Sequence, residues 1–236
     1  LNAILTQYQN AEFLAVDTEF LRERTYYPQL CLIQISDGVD AVAIDPLAPN
    51  LDLNPLWDLM QNPNITKVFH AGNQDMEIFL HLMGSLPEPI YDTQIAAMVC
   101  GLGDQVGYDK LVKAMLDHEI DKTSRFTDWS KRPLSNRQIV YALDDVIYLA
   151  KLYPLMRSKL KAENRSHWLD EEYAKSNDPA TYVTAPNAAW QKLKVRNMRP
   201  APLLRLIHLA AWREREAQSR DLPRNRVIRD ETLIDL

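Results

Sequence analysis

The sequence contains few glycines, few cysteines and no long apolar run. Six glycines in 236 residues and the lack of a repeated period exclude a repeat protein. Cys31 and Cys100 each lie in an apolar stretch without the spacing of a zinc site, and we expect both to be buried free thiols. No apolar run approaches the ~18 residues of a membrane span, and no basic-then-apolar signal opens the chain. We therefore expect no membrane partner and a cytoplasmic location.

The composition is that of a globular protein with an uneven distribution of charge. Hydrophobic residues make up 46% of the chain and charged residues 25%, which is enough for one sizeable domain and a smaller one. Residues 1–185 contain 16 basic and 26 acidic residues, whereas residues 186–236 contain 11 basic and 6 acidic residues. The acidic N-terminal part could provide a metal site, and the basic C-terminal part could bind a polyanion. Two solvated surfaces of unlike composition would give the same counts.

The first half of the chain has the pattern of a sheet with helices. Segments 13–19, 30–36, 40–44 and 66–70 are predicted strands, and the Asp37-Gly38 turn favours a hairpin between the second and the third. A helix is predicted over 75–83, with Met76, Phe79 and Met83 at core spacing. This order of elements predicts an α/β fold.

The second half is predicted to be mainly helical. Apolar spacing becomes helical after Asp92, and a long helix begins near Ser135, which forms a predicted capping box with Gln138. Turn formers predict a linker over 178–187, and helices are predicted over 188–195 and 202–219. We therefore expect one domain over 1–177 and a small all-helical domain over 188–236.

Carboxylates occur at three places where a metal site would need them. Asp17 and Glu19 lie two apart at the end of a predicted buried strand, so both side chains face one side of the sheet. Such a pair repels unless a hard cation such as Mg²⁺ lies between the two charges. Asp75 opens the next helix, and Tyr141 and Asp145 share one face of the long helix. Taken singly, each has a more ordinary explanation as a solvated acid, a helix-dipole partner or a half-buried aromatic.

Taken together, these residues resemble a known family. A strand Asp-x-Glu, a helix-start Asp and a late-helix Tyr-x-x-x-Asp occur in the order of the three exonuclease motifs of the DEDD superfamily, in its tyrosine subgroup. Over residues 10–160 the chain resembles the ribonuclease D family within that group. The motifs that carry the resemblance are DTEF at 17–20, TYYPQL at 25–30, LIQ at 32–34, FHA at 69–71, DTQ at 92–94, DW at 128–129, RPL at 132–134 and YALDDV at 141–146.

The C-terminal residues resemble the HRDC module, a helical domain shared by RecQ-type helicases and ribonuclease D. The residues that carry this resemblance are AW at 189–190, LLRLIHLAAW at 203–212, RERE at 213–216, LP at 222–223, VI at 227–228 and TL at 232–233. We interpret the module as incomplete, because the chain stops at Leu236 before the last helices of such a domain.

The resemblance implies a fold, an activity and a set of catalytic residues. The implied fold is a ribonuclease H-like exonuclease fold, with a mixed five-stranded sheet flanked by helices. The implied activity is 3′→5′ exoribonuclease hydrolysis that releases nucleoside 5′-monophosphates with two divalent ions, Mg²⁺ or Mn²⁺. By carry-over, Asp17 bridges both ions, and Glu19 and Asp145 complete the site for the ion next to the nucleophile. Asp75 holds the second ion through water, and Tyr141 orients the attacking water.

The implied partner is RNA with a single-stranded 3′ end, with transfer-RNA precursors as the substrate class and a monomer as the acting form. Candidates for holding the terminal base are Phe20, Tyr26 and His70, and candidates along the phosphate path are Lys122, Arg125, Lys131 and Arg132. His70 is equally a candidate core histidine, and Trp129 a candidate anchor for its loop. Two alternatives stay open: a DNA exonuclease of the same superfamily, and a non-catalytic nucleic-acid scaffold, which the complete set of acids disfavours.

Overall fold

The computed structural model describes residues 1–195 and 197–236, which form two compact units. The first unit comprises Leu1–Phe20 and Leu30–Pro179, and the second comprises Leu21–Gln29 and Ala180–Leu236. The second unit therefore includes a short segment from the N-terminal part of the chain. The domain limits expected from the sequence stay a prediction, and these units differ from them chiefly at that segment.

The first unit is built on a mixed five-stranded sheet with the order β3-β2-β1-β4-β5. β1 and β4 are parallel, as are β4 and β5, whereas β2 and β3 form an antiparallel pair. The strands are β1 Phe13–Leu21, β2 Gln29–Ser36, β3 Ala41–Ile44, β4 Thr66–Phe69 and β5 Ile90–Asp92. The four strands predicted from the sequence are confirmed, and β5 is the strand that the family resemblance implied without locating it. β1 thus lies at the centre of the sheet.

The helices of the first unit include those predicted over 75–83, after Asp92 and from Ser135, together with further short helices. Their bounds are α1 Asn2–Leu5, α2 Asn54–Met60, α3 Asn73–Met83, α4 Thr93–Val99, α5 Tyr108–Leu116, α6 Asn136–Ala162 and α7 Leu169–Ser176. The predicted capping box is present at the start of α6: the Ser135 amide donates to the Gln138 side chain at 3.0 Å, and the Gln138 amide donates to the Ser135 hydroxyl at 3.3 Å. The core beneath α6 includes Val146, Leu149 and Tyr153. Within the described residues, no helix is long and apolar enough to cross a bilayer.

A buried lysine on β4 joins two backbone segments of the first unit. The Lys67 side chain is fully buried, and its ammonium donates to the backbone carbonyls of Asn62 at 2.8 Å, Ile65 at 2.6 Å and Glu88. Three carbonyl acceptors satisfy the three donors of an ammonium group, so this charge is compensated without a carboxylate. Lys67 therefore joins the turn before β4 to the segment before β5.

We expect Lys67→Met to destabilise the first unit. The substitution keeps the apolar stem but removes the ammonium group that donates to all three carbonyls, at a cost of about 3 kcal/mol and a Tm lower by about 10 °C. Thermal denaturation followed by circular dichroism measures the change. Lys110→Met, at an exposed position of α5, is the matched control. Equal Tm values for the two variants would contradict the assigned role.

The second unit is helical, as predicted. It contains α8 Pro200–Ser219, α9 Arg224–Val227 and α10 Asp230–Asp235. The α-helix predicted over 188–195 is wrong, because a 3-10 helix occupies Pro186–Lys192 and the backbone is extended at Leu193. Its core is formed by Ala189, Leu193, Leu206, Ala210 and Leu233. An ion pair between the buried Arg213 and Asp230, at 2.6 Å, fixes α10 to α8.

The segment between β1 and β2 is bound within this helical unit through Tyr26. The Tyr26 hydroxyl donates to the carboxylate of Glu214, whose side chain is fully buried on α8. Arg224 donates to the same carboxylate at 2.6 Å and to the Tyr26 hydroxyl at 2.9 Å. The Asp221 carboxylate accepts from the backbone amides of Tyr26 and Tyr27, each at 3.0 Å. The buried Glu214 carboxylate is thus bound by both the Tyr26 hydroxyl and the Arg224 guanidinium, and such pairing is the condition for retaining a charge in a core.

Candidate metal centre and nuclease site

The central strand and its parallel neighbour bring three acids to one edge of the sheet. Asp17 and Glu19 occupy the carboxyl-terminal part of β1, on the same face because strand side chains alternate. β1 and β4 run in the same direction, so the helix that follows β4 begins at that edge. Asp75 lies in the first turn of this helix, α3, and is buried.

The fourth acid comes from the long helix. Asp145 on α6 has a carboxylate oxygen that lies, together with one from Asp17 and one from Glu19, in a group whose members are within 4.8 Å of one another. Asp75 adjoins this group through Thr18, whose hydroxyl donates to the Asp75 carboxylate at 2.5 Å. The structure therefore gathers Asp17, Glu19 and Asp145 most closely and places Asp75 beside them.

Burial and nearby negative charge raise the pKa of all four carboxyl groups. Burial, followed by the charges of Asp145, Asp75 and Glu19, raises the pKa of Asp17 well above its usual value. Burial and the neighbouring acids likewise raise the pKa of Glu19 to about 9, and burial is the main cause that raises the pKa of Asp75 and of Asp145 to about 7. Desolvation and like charge both oppose ionisation, and a cation among the oxygens would reverse both effects.

The donor set fits a hard divalent ion. All the candidate ligand atoms are carboxylate oxygens, which Mg²⁺ prefers, whereas neither histidine nor cysteine enters the group. A cluster of acids that is mostly shielded from solvent is costly unless its charge is neutralised, and in the described part of the chain none of these four acids forms an ion pair. Asp17, Glu19 and Asp145, with Asp75 beside them, would hold a divalent ion.

Tyr141 lies one helical turn before Asp145, and its phenol acts as a hydrogen-bond donor that lowers the pKa of the Asp145 carboxyl. Burial, followed by the charges of Asp145 and Glu19, raises the pKa of the Tyr141 phenol. The phenol is consequently protonated at neutral pH and acts as a hydrogen-bond donor rather than a base. Its ring lies 6.1 Å from that of Trp129, which is almost completely buried, so the prediction that Trp129 anchors its loop is confirmed.

Three residues support the site in ways that the sequence analysis did not predict. Tyr108, at the start of α5, donates its hydroxyl to the Asp145 backbone carbonyl, and Thr18 binds Asp75 as described above. Asp92, at the end of β5, accepts from the backbone amides of Ala71 at 3.0 Å and Gly72 at 2.9 Å. A Cβ atom at Gly72 would lie 2.8 Å from a Phe69 side-chain atom, so glycine is required at this turn.

Asp92 has a role that a local signal could have indicated. It also caps α4, accepting from the Gln94 amide at 2.7 Å, and an Asp directly before helical apolar spacing is a typical N-cap. By holding the turn between β4 and α3, Asp92 positions the helix that carries Asp75. Thr18 and Tyr108 have no comparable local signal, because their partners are 57 and 37 residues away.

The candidate base-binding residues have different surroundings. Phe20 follows Glu19 on β1 and is half-buried. His70 is bound through Nδ1 to the Thr93 hydroxyl at 3.0 Å, its ring lies 5.3 Å from that of Tyr108, and burial lowers its pKa. Tyr26 lies instead in the helical unit, where its hydroxyl binds Glu214, so its ring and hydroxyl are already engaged. The substrate roles of Phe20 and His70 stay predictions.

The candidate phosphate-binding residues are mostly paired with carboxylates. Lys122 forms an ion pair with Asp109 at 2.6 Å. Arg132 uses its guanidinium to bind both oxygens of Asp45 at 2.6 Å and the carbonyls of Cys31 and Trp129. Arg132 therefore fastens its loop to the sheet, which is a better account of its geometry than the predicted phosphate contact.

Comparisons with known proteins give two family matches along the chain. A family model described as 3′-5′ exonuclease matches residues 1–161, and one described as HRDC domain matches residues 204–236. Ribonuclease D of Zymomonas mobilis is 52% identical over 237 residues, covering 100% of this chain and 61% of the relative. The chain thus spans about three fifths of the length of the curated relatives it matches.

Cys31 and Cys100 are free and buried, as predicted.

Solved structures confirm the predicted fold. Escherichia coli RNase D, described as an exoribonuclease involved in structured RNA processing, superposes with a TM-score of 0.89 at 38% identity, covering 98% of this chain and 62% of that one. Brucella melitensis NrnC with bound Mg²⁺ superposes with a TM-score of 0.66 at 26% identity, covering 81% and 92%. The resemblance to ribonuclease D inferred from the motifs is confirmed, and because the exonuclease model spans more than half of its residues, the chain belongs to the 3′-5′ exonuclease family.

Proposed function

We propose that this chain is a metal-dependent 3′→5′ exoribonuclease that removes nucleoside 5′-monophosphates from RNA 3′ ends. The observation that carries the proposal is the group formed by Asp17, Glu19 and Asp145, whose carboxylate oxygens lie within 4.8 Å of one another beside Asp75. Further support comes from RNase D of E. coli, which is described as an exoribonuclease, and from NrnC, which binds Mg²⁺.

Different residues of the chain would hold the ions, orient the attacking water and position the acids. Asp17, Glu19 and Asp145 would hold one divalent ion, with Asp17 and Asp75 serving a second. Bound ions in such a site lower the pKa of water and stabilise charge on the attacking and leaving oxygens. Tyr141 is a protonated phenol whose proton is directed at Asp145, so its oxygen would accept a hydrogen bond from the attacking water and orient it. Tyr108 holds the Asp145 backbone and Asp92 holds the turn before α3, which keeps the acids in place.

The substrate assignment rests on relatives more than on the site. We propose single-stranded RNA 3′ ends, with transfer-RNA precursors as the class implied by the family, a monomer as the acting form and the cytoplasm as the location. The discriminating alternative is DNA, because selection of the 2′-hydroxyl depends on contacts with the sugar. The basic helical unit would strengthen RNA binding by neutralising phosphates.

A cleavage time course tests the proposal directly. One sequence, 5′-labelled as single-stranded RNA and as DNA, is incubated with Mg²⁺, Mn²⁺ or EDTA and resolved on a denaturing gel. We expect a ladder that shortens one nucleotide at a time, faster on RNA and abolished by EDTA. Faster loss of DNA would favour a DNA exonuclease, and no cleavage with either metal would overturn the enzymatic assignment in favour of a scaffold.

Tyr141→Phe is expected to lower kcat by about 10- to 100-fold while leaving KM unchanged. The variant keeps the ring against Trp129 but removes a hydrogen bond made to a charged centre, which is worth about 1.5–3 kcal/mol. Single-turnover cleavage of labelled RNA separates this effect from product release. Tyr148→Phe, on the same helix with its ring stacked on His118 at 4.2 Å, is the control and should keep the parent rate. An unchanged rate in Tyr141→Phe would exclude the orienting role.

A further inference from the structure

A tight turn before α6 presents two adjacent side chains at its tip. The Thr127 amide donates to the Ser124 carbonyl at 3.2 Å, which closes a four-residue turn with Arg125 and Phe126 at the central positions. The Thr127 hydroxyl donates to the same carbonyl at 2.8 Å and accepts from the Gln138 side chain at 3.1 Å. The turn is therefore tied to the first turn of α6.

The turn is anchored on both sides, but its tip is exposed. Ser124 and Trp129 are each 2% exposed, whereas Phe126 is 91% exposed. A single exposed apolar residue is common on protein surfaces and means little alone. Here the buried anchors hold the ring outward, so its exposure is built into the local structure.

The neighbour of this ring acts electrostatically on acids of the candidate metal centre. The Arg125 guanidinium lies 5.3 Å from the centroid of the Phe126 ring. Its positive charge acts to lower the pKa of Glu19, Asp145 and Tyr141, so it is within electrostatic reach of all three. Among the residues that the structure describes, Arg125 forms no ion pair with a carboxylate, in contrast to Lys122 and Arg132.

We propose that Phe126 stacks on a base near the RNA 3′ end while Arg125 contacts an adjoining phosphate. This inference rests on the proposed exoribonuclease function and assigns the part of the chain that grips its substrate. Base stacking on an aromatic ring is indifferent to sequence, because every base has a π face. A guanidinium suits phosphate because its planar set of donors matches two phosphate oxygens. An acidic centre needs such a cation to bring a polyanion close to it.

The inference is tested by comparing Phe126→Ala with Phe126→Tyr in the full chain. The affinity for single-stranded RNA is measured by fluorescence anisotropy in EDTA, and KM and kcat are measured with Mg²⁺. We expect Phe126→Ala to raise both Kd and KM about tenfold or more, with kcat preserved, because a base-stacking ring is lost. Phe126→Tyr keeps the ring and should behave like the parent. Val39→Ala removes another exposed apolar side chain, 87% exposed in a different turn, and should change neither constant.

A substrate with abasic nucleotides at its 3′ end identifies the contact. The parent should bind this RNA at least as weakly as Phe126→Ala binds the ordinary RNA, and the parent and the variant should bind the abasic RNA equally. Arg125→Gln should reduce the slope of log Kd against log salt by about 0.7, the value for one phosphate contact on a single strand. Together these results would support a base contact at Phe126 and a phosphate contact at Arg125.

The possible failures are distinct. Unchanged Kd and KM in Phe126→Ala, with an active parent, would overturn this inference and leave the exoribonuclease function standing. A parent that cleaves no RNA would overturn the function, and the anisotropy in EDTA would still decide the base contact. Loss of affinity in Val39→Ala equal to that in Phe126→Ala would show a general effect of surface apolar residues and would also overturn the inference.

Discussion

Asp17→Asn is expected to lower the rate of RNA cleavage at least about 1,000-fold, since bound ions supply several kcal/mol of transition-state stabilisation. Asp17 is the central acid of the site, and its pKa is raised by burial and by the charges of Asp145, Asp75 and Glu19. An amide has nearly the same shape but no charge to offer a cation. Cleavage of labelled RNA over a range of Mg²⁺ concentrations measures the loss, which excess metal should not restore.

The same substitution should leave the metal-free protein at least as stable as the parent. Replacing Asp17 by a neutral amide lowers the cost of ionising the other three carboxyl groups, and the causes that act on the Asp17 pKa include no cation that would be left without a partner. Thermal denaturation in EDTA tests this expectation. Adding Mn²⁺ should raise the Tm of the parent, because an ion that binds the folded state alone stabilises it, whereas Asp17→Asn should show little shift.

Asp144→Asn is the matched control for this experiment. Asp144 adjoins Asp145 on α6 but points about 100° away around the helix, and the charges of His118 and Lys151 act on it. We expect parental cleavage and a parental response to Mn²⁺. A variant at Asp17 that still turns over, or one that is badly unfolded in EDTA, would contradict the assignment of Asp17 as a metal ligand.

The parts of this site that sequence could predict have short-range signals. The apolar run that ends in Asp17 and Glu19 is a buried strand in the structure, and alternation places both acids on one face. The capping box at Ser135 locates the start of α6, which in turn puts Tyr141 and Asp145 one turn apart. Helix and strand periods operate over a few residues, so these features are legible in one sequence.

The parts that sequence could not predict depend on long-range contacts or on very short elements. β5 has three residues, too few to show a period of two. The bond from Thr18 to Asp75 joins residues 57 apart, and the bond from Tyr26 to Glu214 joins residues 188 apart. Nothing local to Tyr26 indicates a partner on α8, which is why a base-binding role was the natural prediction for an aromatic near the acids.

Ending the chain at Pro179 is expected to release residues 21–29 from their folded state while the sheet and its acids persist. The cut removes Asp221, which accepts the amides of Tyr26 and Tyr27, and also Glu214 and Arg224, which bind the Tyr26 hydroxyl. The sheet has its own core under α6 and should remain folded. A nuclease fragment cut at this boundary therefore lacks the partners of one of its own segments.

Hydrogen exchange measured by mass spectrometry follows this release. Each amide bound to a carboxylate contributes about 1.5–3 kcal/mol, so protection of the Tyr26 and Tyr27 amides should fall about 10- to 100-fold in the shortened chain. The amides of β4 serve as internal reference and should be unchanged. Asp221→Ala in the full chain is the matched variant, because it removes the amide acceptor and keeps the bonds among Tyr26, Glu214 and Arg224.

The shortened chain should also cleave RNA more slowly once residues 21–29 are released, although none of the four acids is removed. β1 runs without interruption from Asp17 through Glu19 to Leu21, where the chain enters the segment that the helical unit holds. Freedom at that point loosens the end of the strand that positions two metal ligands, and small misplacements of catalytic groups are costly in rate. We expect the shortened chain to cleave RNA about tenfold more slowly at saturating RNA, where weaker binding does not contribute. If residues 21–29 remain fully protected and kcat is unchanged after the cut, the helical unit does not support the nuclease strand, and its contribution is confined to holding RNA.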